Sequence, residues 1–330
     1  MVNKKNYFLI YSNVMTKGGR KMKLGIIGAG AVGEIVAYTS AMRGIASDII
    51  INDVIKEKAI SQAIDLNDGR LFYPKDVKFR AGEYEDMADR DVIVVCSGKI
   101  PEEDRLQELE LNKKEVADYT KRIVDAGFKG IFVVVTNPVD IITYEVYKVS
   151  GFDDSRVIGS GTFLDSARLQ VVIANKLGIS PKSVNATVLG EHGESQFVPW
   201  SQVMIDSMPF EKYKDLHPEL FEDFDKDQVE DDTRRRGWDI FKGKGSTQYG
   251  IGNTVNNILQ AIANDEKIIL KGSALMEGHY GLEDLYISTP IRVGKDGIEK
   301  KYELDLTEEE LGRLKKTAGV IKDHIAKLDL

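Results

Sequence analysis

The sequence predicts an α/β protein: an N-terminal doubly wound parallel sheet followed by a C-terminal α+β domain. Three observations carry this. Short apolar runs recur through the first half at "KLGIIG", "DIIIND", "VKFRAG", "DVIVVCSG" and "GIFVVVTNP", and near-continuous apolar strands belong to a parallel sheet covered on both faces. Polar, helix-favouring sequence separates them, and strand–helix alternation winds a sheet of that kind. Past residue 150 the alternation gives way to long helices and late strands, so the chain divides into 22–150 and 151–330 with no Pro/Gly/Ser linker between the parts.

Taken in order, "AVGEIVAYTSAMRG" and "KEKAISQAIDLND" predict the first two helices, each following a strand. In the second part "GTFLDSARLQVVIANKLG" is helical, while "SVNATVLGEHG" and "QFVPWSQVMIDSMPF" read as strands with turns. "DFDKDQVEDDTRRRGWDIFKGKG" predicts a long polar helix, and strands are expected at "EKIILKG", "LYISTPIRV" and "KKYELDL". The terminal "TEEELGRLKKTAGVIKDHIAKL" is an amphipathic helix with Thr307 and Glu310 at capping-box spacing. Residues 1–21 stand apart. Their apolar piece, "YFLIYSNVM", is interrupted by Ser and Asn and lacks a cleavage signature, which predicts a disordered leader before Met22 rather than a secretory signal.

Composition excludes several function classes. A chain of 330 residues has room for a sizeable interior. No apolar run approaches the roughly 18 residues of a bilayer span, so no membrane partner is expected. The formal charge of −8 disfavours nucleic acid, which needs a concentrated basic surface, and "TRRRGW" is too short to supply one. The single Cys96 can form no intramolecular disulfide, which fits the cytoplasm. No Cys/His cluster is spaced for a metal.

"GAGAVG", residues 28–33, is a weak motif alone and a strong one in place: it follows a strand, opens a helix, and has Asp53 twenty residues beyond Gly33 at the end of "DIIIND". Gly28 permits the tight turn, Gly30 lets the backbone approach a pyrophosphate, and Gly33 lets the helix pack against the strand. Val32 belongs to the same cradle. This is the Rossmann arrangement for a dinucleotide. Asp53 accepts from ribose hydroxyls and repels a 2′-phosphate, so NAD is expected rather than NADP, although Lys56 lies close by in sequence. "CSGKIP" and "VTNPVD" follow strands where such a sheet opens its ligand crevice, which makes Ser97, Gly98 and Asn137 cofactor candidates. Asn137 is equally readable as a plain Asn-Pro turn.

Hydride transfer to a carbonyl also needs a proton, and histidine supplies one near neutral pH. His192 sits between glycines in "GEHGES"; His217, His279 and His324 have surface or packing explanations. Asp165 and Arg168, three apart in "GTFLDSARLQ", share a helical face, so an anion to orient a histidine and a cation to clamp a carboxylate can reach one pocket. A helical salt bridge between the two is the competing explanation.

Together "GAGAVG", Asp53, "VTNPVDI", "GTFLDSAR", "GEHGES" and "KGSTQYGIG", in this order, resemble the lactate/malate dehydrogenase family over residues 22–328. The resemblance implies an NAD-dependent L-2-hydroxy acid dehydrogenase with His192 as acid/base, Asp165 as its partner and Arg168 as substrate anchor. It also implies that Arg105 is the mobile-loop arginine that polarises the carbonyl, that Thr247 lines the pocket, and that the chain forms a homodimer or homotetramer.

Departures from the family pattern narrow the substrate. "SGKIPEEDR" is about two residues shorter than the usual loop and lacks the arginine of malate enzymes, so malate is disfavoured; Lys99 keeps it as the alternative. Gly237, matching a helix that lines the substrate side chain, and Ile100 on the loop imply room for a bulkier apolar 2-oxo acid, with pyruvate still admissible. Family members activated by fructose 1,6-bisphosphate carry an arginine and a histidine where Gln170 and Asn185 stand here, so no such activation is expected.

Overall fold

In a computed structural model, residues 22–98 and 105–328 are described, without the side chains of 105–107. Residues 1–21, 99–104, with Lys99 and Ile100, and 329–330 lie outside the described residues. Six strands run parallel: β1 (Met22–Ile27), β2 (Ala46–Asn52), β3 (Lys78–Ala81), β4 (Val92–Val95), β5 (Ile131–Val134) and β6 (Val157–Gly159). Their order is β6-β5-β4-β1-β2-β3. β4 and β5 are buried at every position, as their all-apolar sequences require. The order reverses between β1 and β4, and the crevice beyond the carboxyl ends of those two strands is where such a sheet binds ligands.

Four helices cross between these strands: α1 (Ala31–Met42), α2 (Lys56–Asp68), α3 (Arg105–Asp125) and α4 (Val139–Ser150). The second half adds α5 (Phe163–Leu177), α6 (Phe210–Leu216), α7 (Lys226–Lys244), α8 (Tyr249–Asn264) and α9 (Glu308–Ile325). The long polar helix is α7, capped by Asp225, which accepts from the Asp227 and Gln228 amides. The terminal helix is α9, and its capping box is formed: Thr307 accepts from the Glu310 amide at 3.2 Å while Glu310 accepts from the Thr307 amide at 3.0 Å. Such a cap stabilises by about 1 kcal/mol.

Two findings refine the sequence reading. The late strands β10 (Ile268–Glu277), β11 (Glu283–Gly294) and β12 (Gly297–Lys301) join the parallel sheet. β10 pairs antiparallel with β6 through Ser273 and Gly159, making one nine-stranded sheet across both halves. A Cβ on Gly159 would stand 2.7 Å from that of Ser273, so the junction needs a glycine. Second, residues 183–210 hold only two-residue strands, β7 (Val184–Asn185), β8 (Met204–Ile205) and β9 (Met208–Pro209). Most apolar residues between are buried, but only isolated bridges join them, Leu189 to Phe197 and Gly190 to Ser288, and Val188 is held by side chains at the start of α5: Ser166 Oγ accepts from its amide at 2.9 Å, and Thr162 Oγ1 donates to its carbonyl at 2.6 Å.

Candidate active site

The glycine turn has the geometry its sequence predicts. Gly28 has φ +104°, and a Cβ there would lie 2.7 Å from the Ser97 nitrogen. A Cβ on Gly33 would sit 1.8 Å from the Gly28 carbonyl oxygen, so only glycine lets α1 start this close to β1. At Gly30 the nearest atom to a built Cβ is Lys58 Nζ at 3.9 Å, which leaves open space in front of the helix. No side chain caps α1. Unpaired amides at a helix start beside an open cradle fit a pyrophosphate.

Asp53 does more than its sequence position suggests. Oδ2 accepts from the Ala29 amide at 2.7 Å and Oδ1 from the Ile55 amide at 2.9 Å, so the carboxylate fixes the glycine turn itself. Each oxygen keeps a second lone pair for a ribose hydroxyl. Lys56 pairs with Glu83 at 2.5 Å, an ion pair that occupies its charge. Cys96 donates its thiol to the Ile27 carbonyl at 3.2 Å, and burial pushes that thiol up to about 12, which keeps it protonated and unreactive.

The reacting groups converge from two segments, α5 and the turn around His192. Asp165, on the first turn of α5 and 2% exposed, binds His192 Nδ1 through Oδ2 at 2.5 Å and Arg168 Nη1 through Oδ1 at 2.9 Å. The orienting anion and the helical salt bridge are therefore both present. Burial would raise the Asp165 carboxyl, but the facing His192 and Arg168 outweigh it and hold it below the usual carboxylate range. The His192 main-chain amide donates to Asp140 Oδ2 at 2.8 Å, and Ser273 Oγ donates to Asp140 Oδ1 at 2.5 Å. The flanking Gly190 has φ +93° and presses on Thr317, where a Cβ would be 2.8 Å from Cγ2.

Asp165, Arg168 and His192 line one cleft of about 360 Å³ that also takes in Gly30, Val32, Ser97, Gly98, Asn137, Gly237 and Thr247. Asn137, joined to Pro138 by a cis peptide, is held through its carbonyl by Asn112 Nδ2 at 3.0 Å, and its own side-chain oxygen is buried with no protein partner. That orphaned acceptor fits an N–H or O–H donor, from the nicotinamide side of the cofactor or a substrate hydroxyl. A Cβ on Gly237 would lie 3.5 Å from both terminal nitrogens of Arg168, placing α7 directly across from that guanidinium.

Residues 22–159 match the family model described as lactate/malate dehydrogenase, NAD binding domain, and residues 162–329 match that described as lactate/malate dehydrogenase, alpha/beta C-terminal domain. The chain belongs to the lactate/malate dehydrogenase family. The L-lactate dehydrogenase of Lacticaseibacillus casei is 40% identical to it over 315 residues, 93% of this chain and 96% of that one. "L-lactate dehydrogenase 3" of Bacillus thuringiensis subsp. konkukian is 38% identical over 305 residues, 92% and 96% of the two chains. The crystal structure of the minor L-lactate dehydrogenase from Enterococcus mundtii in the ligands-bound form aligns with a TM-score of 0.89 at 34% identity, covering 94% of this chain and 99% of that one. As a member of this family the chain is an oxidoreductase of 2-hydroxy acids with NAD as cofactor.

Against the family pattern, Arg105 opens α3 and Ile100 precedes the described part of that segment, so neither side chain is described. His217, His279 and His324 lie away from the cleft lining. Sequence reasoning missed Asp140, although it stands in "VTNPVD", and missed Gln196, Arg234, Trp238 and Phe241 on the cleft wall. Arg234 was visible only as part of a basic run; the helical period that turns it inward, one turn before Gly237, is the signal that marks it.

Proposed function

We propose that this family member is an NAD-dependent L-2-hydroxy acid dehydrogenase of the L-lactate dehydrogenase type, reducing pyruvate or a bulkier uncharged 2-oxo acid reversibly. The supporting observation is Asp165 held between His192 and Arg168 on the wall of a cleft that begins at the glycine cradle. Bound NADH supplies the hydride to the substrate's C2. Arg168 grips the substrate carboxylate with its planar fork. His192 Nε2 delivers the proton to the C2 oxygen and takes it back in the oxidation, while Asp165 stabilises the imidazolium and fixes its tautomer. Arg105 polarises the same oxygen, and Thr247, Gly237 and Ile100 shape the side-chain space. Residues 22–150 serve the cofactor and 151–330 the substrate.

Malate is the poorer alternative on electrostatic grounds. Arg234 is a further guanidinium on the cleft wall, but it pairs with Asp231 and with Glu194 at 3.3 Å, so it offers no net positive charge to a second substrate carboxylate. A homodimer or homotetramer is supported by apolar side chains left in solvent on and just after α2: Ile60, Ile64, Leu71 and Phe72. A cytoplasmic location is supported by the single Cys96, which can form no intramolecular disulfide; no described helix is long and apolar enough to cross a membrane. Rates with NADH on pyruvate, 2-oxoisocaproate, phenylpyruvate and oxaloacetate test the proposal. Uncharged acids should exceed oxaloacetate in kcat/KM by at least about tenfold, and reduction of none of the four would overturn it.

A further inference from the structure

We propose that the cleft selects 2-oxo acids whose side chain ends in a neutral hydrogen-bonding group, a carboxamide in particular, with Gln196 and Arg234 as the specificity-determining residues. This rests on the 2-oxo acid reductase assigned above. Both side chains line the same cleft as Arg168 and His192. Gln196 follows His192 by four residues in the same turn, and Arg234 stands on α7 one helical turn before Gly237, whose missing side chain leaves the approach to Arg168 open.

What the wall lacks there is hydrogen bonding, not charge. Gln196 Oε1 is buried with no protein partner. Arg234 Nε is buried as well; it lies 3.3 Å from Glu194 Oε2 without the alignment of a hydrogen bond. A buried donor and a buried acceptor without partners are costly to the empty site, and a ligand that satisfies both removes that cost. The guanidinium already faces two carboxylates, Asp231 and Glu194, so another anion would find no net attraction. A hydrocarbon end would leave both orphaned atoms desolvated. A carboxamide has an oxygen for Arg234 Nε–H and an NH2 for Gln196 Oε1, with no net charge.

Three substrates of the same heavy-atom skeleton test this: 2-oxosuccinamate, 2-oxoisocaproate and oxaloacetate differ only in an amide, an isopropyl or a carboxylate at the end of the chain. With NADH, kcat/KM for 2-oxosuccinamate should exceed both others by at least about tenfold. Gln196→Leu and Arg234→Met, which keep side-chain bulk, should each narrow the amide-to-hydrocarbon ratio by roughly three- to tenfold. The ranking on the unaltered protein stands even where a variant fails to fold. Equal or faster use of 2-oxoisocaproate overturns the inference and leaves the reductase intact; a preference for oxaloacetate overturns it by showing that Arg234 acts through charge. Failure of all three together with pyruvate overturns the reductase assignment and this inference with it.

Discussion

Asp165 faces an imidazole and a guanidinium at once, and that arrangement shows what single residues contribute here. Its carboxyl is depressed despite burial, so the stabilisation it gives is present above the unfolded value near pH 4 and lost as pH falls through the lower folded one. Asp140 is the opposite case. Burial pushes its carboxyl up to about 6, against opposing bonds from Ser273 and the His192 amide. A raised carboxyl favours the fold at low pH and weakens it as pH rises through the folded value. Asp140→Asn should therefore gain on the wild type by about 2–3 kcal/mol between about pH 4 and about pH 7, seen as diverging thermal melts; a constant offset would contradict this. Asp165, Arg168 and His192 were legible because each lies in a short local pattern. Asp140 was not, since the hydroxyl that holds it comes from Ser273, 133 residues away.

At the scale of elements, the strand–turn–helix at Gly28–Gly33 separates two requirements that one motif combines. Gly33 serves packing, since any Cβ collides with the Gly28 carbonyl, whereas Gly30 faces open space. Gly33→Ala should lose at least about 2 kcal/mol of stability. Gly30→Val should keep the melting temperature within a few degrees and lose NADH binding, measured by fluorescence titration; full binding by that variant would place the pyrophosphate elsewhere. This turn could be read from sequence because its demands are on backbone conformation, which glycine spacing reports directly. Residues 183–210 could not, because apolar alternation records burial there while the backbone pairs only in two-residue strands, at isolated bridges and, at Val188, with the side chains of Thr162 and Ser166.

Across the whole molecule, the two halves are less separable than their sequence grammar suggests. The sheet is continuous through β6 and β10, and α8 packs on α1 so closely that a Cβ on Gly252 would fall 1.9 Å from Ile35 Cγ2. Ser40 donates to Asn256 at 2.6 Å in the same buried seam. Long-range pairing of this kind leaves no local trace, which is why the strands could be read in order while their pairing across the halves could not. The exposed Ile60 and Ile64 predict the remaining association: Ile60→Asp with Ile64→Asp should lower the mass found by sedimentation, and a wild-type monomer would contradict an oligomer.

His192→Asn offers the most direct test of the convergence of imidazole, carboxylate and guanidinium on the cofactor cleft. In single-turnover reduction of pyruvate, or of the best 2-oxo acid found, the rate should fall by at least about a thousandfold while NADH binding stays within about threefold. A variant that still reduces the substrate within about tenfold of the wild type would show that the proton comes from another group.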